Sequence, residues 1–408
     1  MPSFATYTLG CKVNQAETSQ IENILENIGY SQVDFNQAAD FFIINTCSVT
    51  HVADRKSRHI IRKAKKNNPQ SKVIITGCFS ENNQNNLSPL RIDHIIKNQD
   101  KLNINIWQYI LPKNNTLKSK NKLKVRRMLK IQDGCNTNCS YCIVPYLRKD
   151  QFSVPLPDII KLANLWLIEG TREIVLTGVN LGNYHWQNKG LFDVLHELSQ
   201  LKNLLRIRLS SLELPHINDT LIQEIKNNPN ICKHLHLPLQ SGSDFILHKM
   251  KRPYTLIEFK EKTKKIFQQI PELALTTDVI VGFPGETEAN FKETLNSIID
   301  IGFSQLHVFK YSPRPGTPAI DFDHKVPAKI AEHRSKTLIK LGQELKRNFI
   351  NKYLKKGVDV LFEEETNHIS KGLTSNYIRV ISTQNNVLGQ IKNVIPNKIN
   401  PDNSLSCL

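Results

Sequence analysis

At 408 residues the chain has room for two or three domains with buried cores. Its 39% hydrophobic content, its mean hydropathy of −0.36 and the lack of any apolar run near ~20 residues exclude a helical membrane-spanning protein. A net charge of +17 and a pI of about 9.4 point to a polyanionic partner.

The opening Met-Pro-Ser-Phe-Ala-Thr-Tyr-Thr-Leu has no basic region followed by a long apolar one, so it predicts a first strand and not a signal peptide. The expected location is the cytoplasm, where eight cysteines read more readily as metal ligands or catalytic groups than as disulfides. Residues 1–98 alternate strand and helix. Phe4–Leu9 is a predicted strand ending at Gly10-Cys11, and Asn14–Ile28 a predicted helix, opened by Asn14 and closed by Gly29. Phe41–Thr46 is an apolar strand ending at Cys47. Thr50 then caps a basic helix to about Asn67, before Pro69, and Lys72–Thr76 is a strand ending at Gly77-Cys78. Continuously apolar strands suit a parallel sheet covered on both faces. Cys11, Cys47 and Cys78 each fall just past the carboxyl end of a successive strand, and in a parallel sheet those ends share one edge. Thiols acting as small apolar residues sit more often inside strands or on helix core faces. The three therefore read as one three-thiolate cluster site, with one or two structural cysteines as the alternative.

Residues 113–124, rich in Lys, Asn and Ser, read as a linker after an N-terminal unit at 1–112. Six predicted strands follow: Val125–Ile131, Glu173–Thr177, Arg206–Leu212, His234–Pro238, Leu275–Phe283 and Gln305–Ser312. Predicted helices lie at Asp158–Glu169, Leu191–Leu201, Leu256–Gln269 and Glu288–Ile301. Six βα units suggest a partial barrel over 125–326, with function at the carboxyl ends of its strands. The first of those ends carries Ile131-Gln-Asp-Gly-Cys135-Asn-Thr-Asn-Cys139-Ser-Tyr-Cys142-Ile-Val-Pro145. Four thiolates satisfy a cubane iron–sulfur cluster, whereas three leave one iron open to a substrate. Gly134 and Pro145 let so short a loop wrap around one small object. A zinc knuckle and unrelated buried thiols are the alternatives, but zinc needs a fourth Cys or His nearby, and the next histidine downstream is His185.

A basic helical extension is expected over 327–356. Basic runs also occur at 55–66 and 113–130. Each run alone reads as a solvated helix face, but three with few compensating acids point to nucleic acid. Val358–Glu363, Tyr377–Thr383 and Val387–Val394 suggest a small β-barrel of the oligonucleotide-binding type at 357–408. The Pro-Asn-Lys-Ile-Asn-Pro-Asp-Asn-Ser stretch near its end is expected to be disordered. Cys232 reads as a buried apolar residue and Cys407 as a tail thiol. The expected class is α/β: an open parallel N-terminal domain, a partial (β/α)6 barrel and a small β-barrel.

With both cysteine trios in view, several stretches add to them in a fixed order. They are Thr8-Leu-Gly-Cys11-Lys-Val-Asn14-Gln, Asn45-Thr-Cys47, Thr76-Gly-Cys78, Leu176-Thr-Gly-Val-Asn180, Leu209-Ser-Ser-Leu-Glu213 and His236-Leu-Pro-Leu-Gln240-Ser-Gly-Ser. Asp278-Val-Ile-Val-Gly-Phe-Pro-Gly-Glu286-Thr and Phe309-Lys-Tyr-Ser-Pro-Arg-Pro-Gly-Thr-Pro318 complete the set. Over nearly its whole length the chain resembles the radical S-adenosylmethionine methylthiotransferases, and its opening looks most like the branch acting on threonylcarbamoyladenosine next to the tRNA anticodon. Gly372-Leu-Thr-Ser-Asn-Tyr-Ile-Arg-Val resembles the RNA-binding TRAM domain those enzymes carry. The resemblance implies two 4Fe–4S clusters and S-adenosylmethionine. One cluster, on Cys135, Cys139 and Cys142, would generate a 5′-deoxyadenosyl radical that takes hydrogen from C2 of the modified adenine. The other, on Cys11, Cys47 and Cys78, would present the sulfur, and a second S-adenosylmethionine the methyl group. It further implies Tyr141 near the cofactor's adenine, Gly178 and Asn180 at its amino group, Glu213 at the ribose hydroxyls and Gln240 at the methionine end. The alternative for each is an ordinary loop residue. Implied partners are the tRNA anticodon stem-loop, an electron donor and a sulfur source, with no membrane and a monomeric state.

The chain departs from the family pattern in two places. After Tyr146 it reads Leu-Arg148-Lys149-Asp-Gln-Phe-Ser where the family continues with Arg-Gly and a further Arg-Ser-Arg, and its C-terminal domain is short. Competing substrates are isopentenyladenosine in tRNA and a ribosomal protein side chain. A non-catalytic iron–sulfur RNA-binding protein is the reading from another class.

Overall fold

Apolar stretches such as Phe41–Ile44 and Val73–Ile75 build the centre of the first sheet. The computed structural model describes residues 2–82, 87–111 and 123–407. In it β1 (Ser3–Thr8), β2 (Ser31–Gln32), β3 (Phe41–Thr46), β4 (Lys72–Gly77) and β5 (His94–Ile95) pair in the order β2-β1-β3-β4-β5, all parallel. Every residue of β3 is buried. α1 (Lys12–Asn27) and α4 (Ile104–Ile110) cover one face, where Ile21, Leu25 and Trp107 meet Phe4, Ile43 and Ile74. α2 (His51–Asn67) and α3 (Cys78–Asn82) cover the other with Ile61, Ala64 and Phe79 against Phe42, Ile44 and Val73. Thr50 caps α2, its Oγ1 accepting from the Ala53 amide at 3.1 Å. α1 differs from expectation. It starts at Lys12, with Cys11 in extended backbone as its cap, and not at Asn14. Asn14 lies inside the helix because its side-chain amide has other carbonyls to satisfy, donating to Leu9 O at 2.8 Å and Thr46 O at 3.0 Å.

Most of the linker at 113–124 lies outside the described residues. The second unit holds β6 (Arg126–Asp133), β8 (Glu173–Gly178), β11 (Arg206–Leu209), β12 (His234–His236), β13 (Ala274–Val281) and β14 (Gln305–Lys310). Parallel pairing runs β6–β8–β11 and β12–β13–β14, and a parallel bridge from Ser211 to His236 joins the halves into one curved wall. β7 (Phe152–Ser153) adds a short antiparallel edge, and β9 (His185–Trp186) with β10 (Lys189–Gly190) makes a separate hairpin. α5 (Val144–Leu147) and α9 (Asp244–Lys249) sit on strand-end loops. α6 (Leu156–Ile168), α7 (Leu191–Ser199), α8 (Asp219–Asn227), α10 (Leu256–Gln269) and α11 (Glu288–Ile301) pack on one large apolar core. α1 lies against β6 and β8, so the first unit is docked on the barrel wall.

α12 (Ala328–Asn351) leads to β15 (Val358–Thr366), β16 (Ile369–Thr374), β17 (Arg379–Ser382), β18 (Ile391–Val394), β19 (Lys398–Ile399) and β20 (Leu405–Cys407), one sheet in the order β18-β15-β16-β17-β20-β19. The segment expected to be disordered forms β19 and the turn into β20. Asn400 Nδ2 donates to Ser404 Oγ at 2.9 Å and Ser406 Oγ at 2.6 Å, so its polar residues close that turn on themselves. Cys407 belongs to the final strand, and Cys232 is buried. The sheet docks at the amino ends of barrel strands, through Arg126–Glu363 (3.1 Å), Arg206 Nη2 to Asp359 O (2.8 Å) and Arg208 Nη1 to Ser375 O (3.0 Å). Among the described residues no helix is long and apolar enough to cross a membrane.

Candidate active site

Parallel pairing in the first sheet puts Leu9–Cys11, Cys47 and Cys78 at one edge, after β1, β3 and β4. Asn14 ties two of these strand ends together, and Thr46 Oγ1 reaches Thr76 O at 2.5 Å to tie in the third. Two glycines leave the room. Gly10, at φ +94°, would place a Cβ 2.9 Å from Cys47 Sγ, and Gly77, at φ +96°, would place one 2.3 Å from Thr46 O. Cys11 is exposed, whereas Cys47 and Cys78 are buried. Burial pushes the Cys47 thiol up to about 12, and the nearby Cys78 and Cys11 push the same way. Such thiols stay protonated at neutral pH until a metal centre claims them.

Across from this edge lies the loop after β6. Gln132 fixes it. Its Nε2 donates to Asp133 O and Gly134 O at 2.8 Å, while its Oε1 accepts the Asn180 amide at 2.8 Å. A Cβ on Gly178 would lie 2.9 Å from that Oε1. Ser140 anchors the loop's far side, its N and Oγ donating to Met250 O (3.1 Å) and Lys249 O (2.8 Å). Cys135 and Cys139 are each offered a donor, respectively Thr137 N at 3.5 Å and Arg252 Nη1 at 3.2 Å. Burial pushes Cys142 up to about 12, with Cys139 and Cys135 adding to it. Hydrogen-bond donors aimed at sulfur suit thiolates holding an iron–sulfur cluster. Among the described residues no three such side chains converge on a single-ion site. A cubane differs from a lone ion in that each thiolate takes its own iron, so its ligands need not meet at one point.

Of the remaining sequence-derived residues, Tyr141 lies in this loop, Asn180 reaches it through Thr137 and Glu213 through Arg252, while Gln240 sits at a neighbouring strand end. Tyr141 is half-buried, its ring 6.4 Å from that of Phe283, in a cluster with Ile246 and Met250. Asn180 is 4% exposed, and its Oδ1 has no hydrogen-bond partner among the described residues. Glu213 follows β11 and accepts from Arg252 Nη2. Gln240 is 9% exposed in a left-handed conformation (φ +64°), held by its amide to Asp278 O and by the Ile280 amide to its carbonyl. Arg252 was not foreseen. It touches the nearby Tyr254 hydroxyl (3.0 Å) together with Cys139 and Glu213, and only folding brings the last two to it. Nothing in its Lys249-Met-Lys-Arg252 context sets it apart from a surface basic run.

The two edges meet. Cys78 packs with Ile143 and Leu147, immediately beyond the Cys142 loop. Arg314, after β14, pairs with Asp54 of α2 at 2.8 Å and donates to Ser48 Oγ at 2.8 Å. Both trios thus border one region between sheet edge and barrel mouth.

Comparison with known proteins resolves what this pair of edges belongs to. Residues 3–96 match the model described as uncharacterized protein family UPF0004, and residues 129–298 match the radical SAM superfamily. The threonylcarbamoyladenosine tRNA methylthiotransferase MtaB of Bacillus subtilis (strain 168) is 37% identical over 407 residues, covering 93% of this chain and 90% of its own. The chain belongs to the radical S-adenosylmethionine methylthiotransferase family. MtaB of Aquifex aeolicus (strain VF5) is 36% identical, covering 91% of this chain and 95% of its own. A tRNA-2-methylthio-N(6)-dimethylallyladenosine synthase of Endomicrobium trichonymphae is 32% identical, covering 92% of each. Among solved structures, the radical S-adenosylmethionine methyltransferase TsrM from Kitasatospora setae, with cobalamin and a 4Fe–4S cluster bound, superposes with a TM-score of 0.56. It covers 78% of this chain and 77% of its own at 12% identity, a likeness of fold. The protein is a methylthiotransferase whose cofactors are S-adenosylmethionine and 4Fe–4S clusters.

In this methylthiotransferase Arg252→Met leaves the Glu213 carboxylate without its cation and Cys139 without its donor. The expected cost is about 3 kcal/mol, read as a fall of several degrees in the Tm of the metal-free protein. An unchanged Tm would remove Arg252 from the site's framework.

Proposed function

We propose that the protein converts N6-threonylcarbamoyladenosine beside the tRNA anticodon into its 2-methylthio derivative, in the cytoplasm. The observation that carries this reading is identity of 33–37% to five MtaB enzymes over 91–94% of the chain. Relatives named for dimethylallyladenosine reach 31–33%.

In this reading residues 1–112 form the methylthiotransferase domain and 113–124 the linker. Residues 125–326 form the radical core, 327–356 the helical extension and 357–408 a TRAM-like RNA-binding domain. Cys135, Cys139 and Cys142 would hold the cluster with an open iron, and Cys11, Cys47 and Cys78 the auxiliary one. When bound, cluster and S-adenosylmethionine together supply one-electron reductive cleavage of a carbon–sulfur bond, which gives access to an unactivated C–H bond. The chain's part is placement. Asn180 Oδ1, buried without a partner among the described residues, is suited to the cofactor's ammonium group. Glu213, held by Arg252, has the carboxylate to take ribose hydroxyls, and Gln240 fixes the wall at the methionine end. Tyr141 lends an apolar ring beside the adenine. Packing of the Cys78 edge on Ile143 and Leu147 keeps water from the seam beside the sulfur-transfer site. An electron donor and a sulfur source complete the reaction.

The tRNA would meet basic faces. Arg55, Lys56, Arg62 and Lys66 project from α2, which begins four residues past Cys47, and Lys340 and Arg347 project from α12. Replacing Arg55 and Lys56 with alanine is expected to weaken tRNA binding and reduce the salt-dependence slope by roughly 1–2. A filter-binding series over ionic strength checks this, and an unchanged slope places the RNA elsewhere.

The substrate is tested by digesting tRNA from cells lacking the protein. Loss of the 2-methylthio form of threonylcarbamoyladenosine is expected, with the parent nucleoside accumulating. Loss of the dimethylallyl derivative instead would assign the protein to the other branch.

A further inference from the structure

Arg148 closes α5, six residues beyond Cys142, and its guanidinium makes five hydrogen bonds of 2.9–3.0 Å to the Glu17 carboxylate, both Asp133 oxygens and Asn14 Oδ1. Glu17 also pairs with Lys101 at 2.5 Å and Lys130 at 2.8 Å, and Lys130 with Asp133 at 2.8 Å. All five charged groups are under 10% exposed, and Glu17 and Lys101 are fully buried. Three cations face two carboxylates, so the network carries an uncompensated positive charge away from water. Burying it is costly unless a negative group lies alongside. That group is at hand, since Cys78 packs on Leu147 and Ile143, the residues leading into Arg148, and against the upward push of burial the Arg148 charge pulls the Cys78 thiol down. Asn14, which shares the guanidinium, holds the carbonyl of Thr46, next to Cys47. The network therefore lies beside one auxiliary-site cysteine and reaches the neighbour of another. Arg148 itself hangs from the loop of the other trio.

We propose that the Glu17–Lys101–Lys130–Asp133–Arg148 network is the fixed counter-charge of the auxiliary cluster and sets its reduction potential, with Arg148 the positioning residue that ties this site to the radical-site loop. The inference rests on Cys11, Cys47 and Cys78 holding that cluster. An excess cation beside the thiolates favours the state with one more electron, through Coulomb attraction in a site sheltered from solvent. Removing a cation must lower the midpoint potential, and removing a carboxylate must raise it.

The test uses the full chain carrying Cys135→Ala, Cys139→Ala and Cys142→Ala, which leaves the auxiliary cluster alone, in an anaerobic dithionite titration followed by electron paramagnetic resonance. Arg148→Gln is expected to shift the midpoint downward, Glu17→Gln upward, and Arg148→Lys to stay near the parent. If Arg148→Gln does not fold, Lys130→Gln tests the same sign from one residue further away. Opposite shifts support the proposal, because a purely structural role has no reason to follow the sign of the charge. Shifts in one direction for both, or none, overturn it. A parent that binds no iron overturns the cluster assignment itself, a distinguishable result.

Discussion

Cys135→Ala is expected to abolish 5′-deoxyadenosine formation and to lower bound iron from about eight to about four per chain. The loop after β6 has three thiols, so one truncation leaves two, too few to keep a cubane in place. The loop itself should survive. Gln132 grips Gly134 O, Ser140 is anchored on Lys249 and Met250, and the Ala319 amide donates to Ser140 O at 2.8 Å. Cys135 is half-buried, so its truncation leaves no sealed cavity in the core. The expected loss is thus a lost ligand and not a lost fold, and the Tm of the metal-free variant should match the parent. Iron and sulfide analysis, with chromatography of the anaerobic reaction with S-adenosylmethionine and dithionite, checks it. Retained iron at about eight, or continued 5′-deoxyadenosine, would contradict the assignment.

Cys11→Ala is expected to separate the two halves of the chemistry. Iron again falls to about four and 5′-deoxyadenosine still forms, but the methylthio product drops below detection. Cys11 is the cleanest probe of its trio because it is exposed, whereas truncating Cys47 or Cys78 also removes buried sulfur contacts. Its backbone role persists, since the α1 cap uses the Cys11 carbonyl, which accepts from Gln15 N at 3.2 Å. Mass spectrometry of digested tRNA beside the 5′-deoxyadenosine assay reads both halves in one reaction. Product formed at the parent rate would take Cys11 out of the sulfur-transfer site.

Elements with strong local signals were legible. β3 opens on four apolar residues in a row, and α10 and α11 start at Thr255 and Thr287, whose side chains accept from the third residue of each helix. The start of α1 was misread because Asn14 looks like a cap, yet its amide is claimed by Thr46 O, 32 residues on. β19 and β20 carry no strand signal because runs of two or three residues become strands only when a partner is supplied by the fold. The six candidate ligands could be read from strand ends and spacing. Arg252, Gln132 and the buried charges around Arg148 could not, because their meaning lies in contacts that reach across as many as 134 positions of the chain.

The reaction itself provides the most direct test. The purified protein, reconstituted with iron and sulfide, is given S-adenosylmethionine, reductant and two tRNAs in one vessel, one bearing threonylcarbamoyladenosine and the other dimethylallyladenosine. Mass spectrometry of the digested nucleosides is expected to find the methylthio group on the first alone. A methylthio group on the second alone, or on neither while 5′-deoxyadenosine accumulates, would contradict the assigned function.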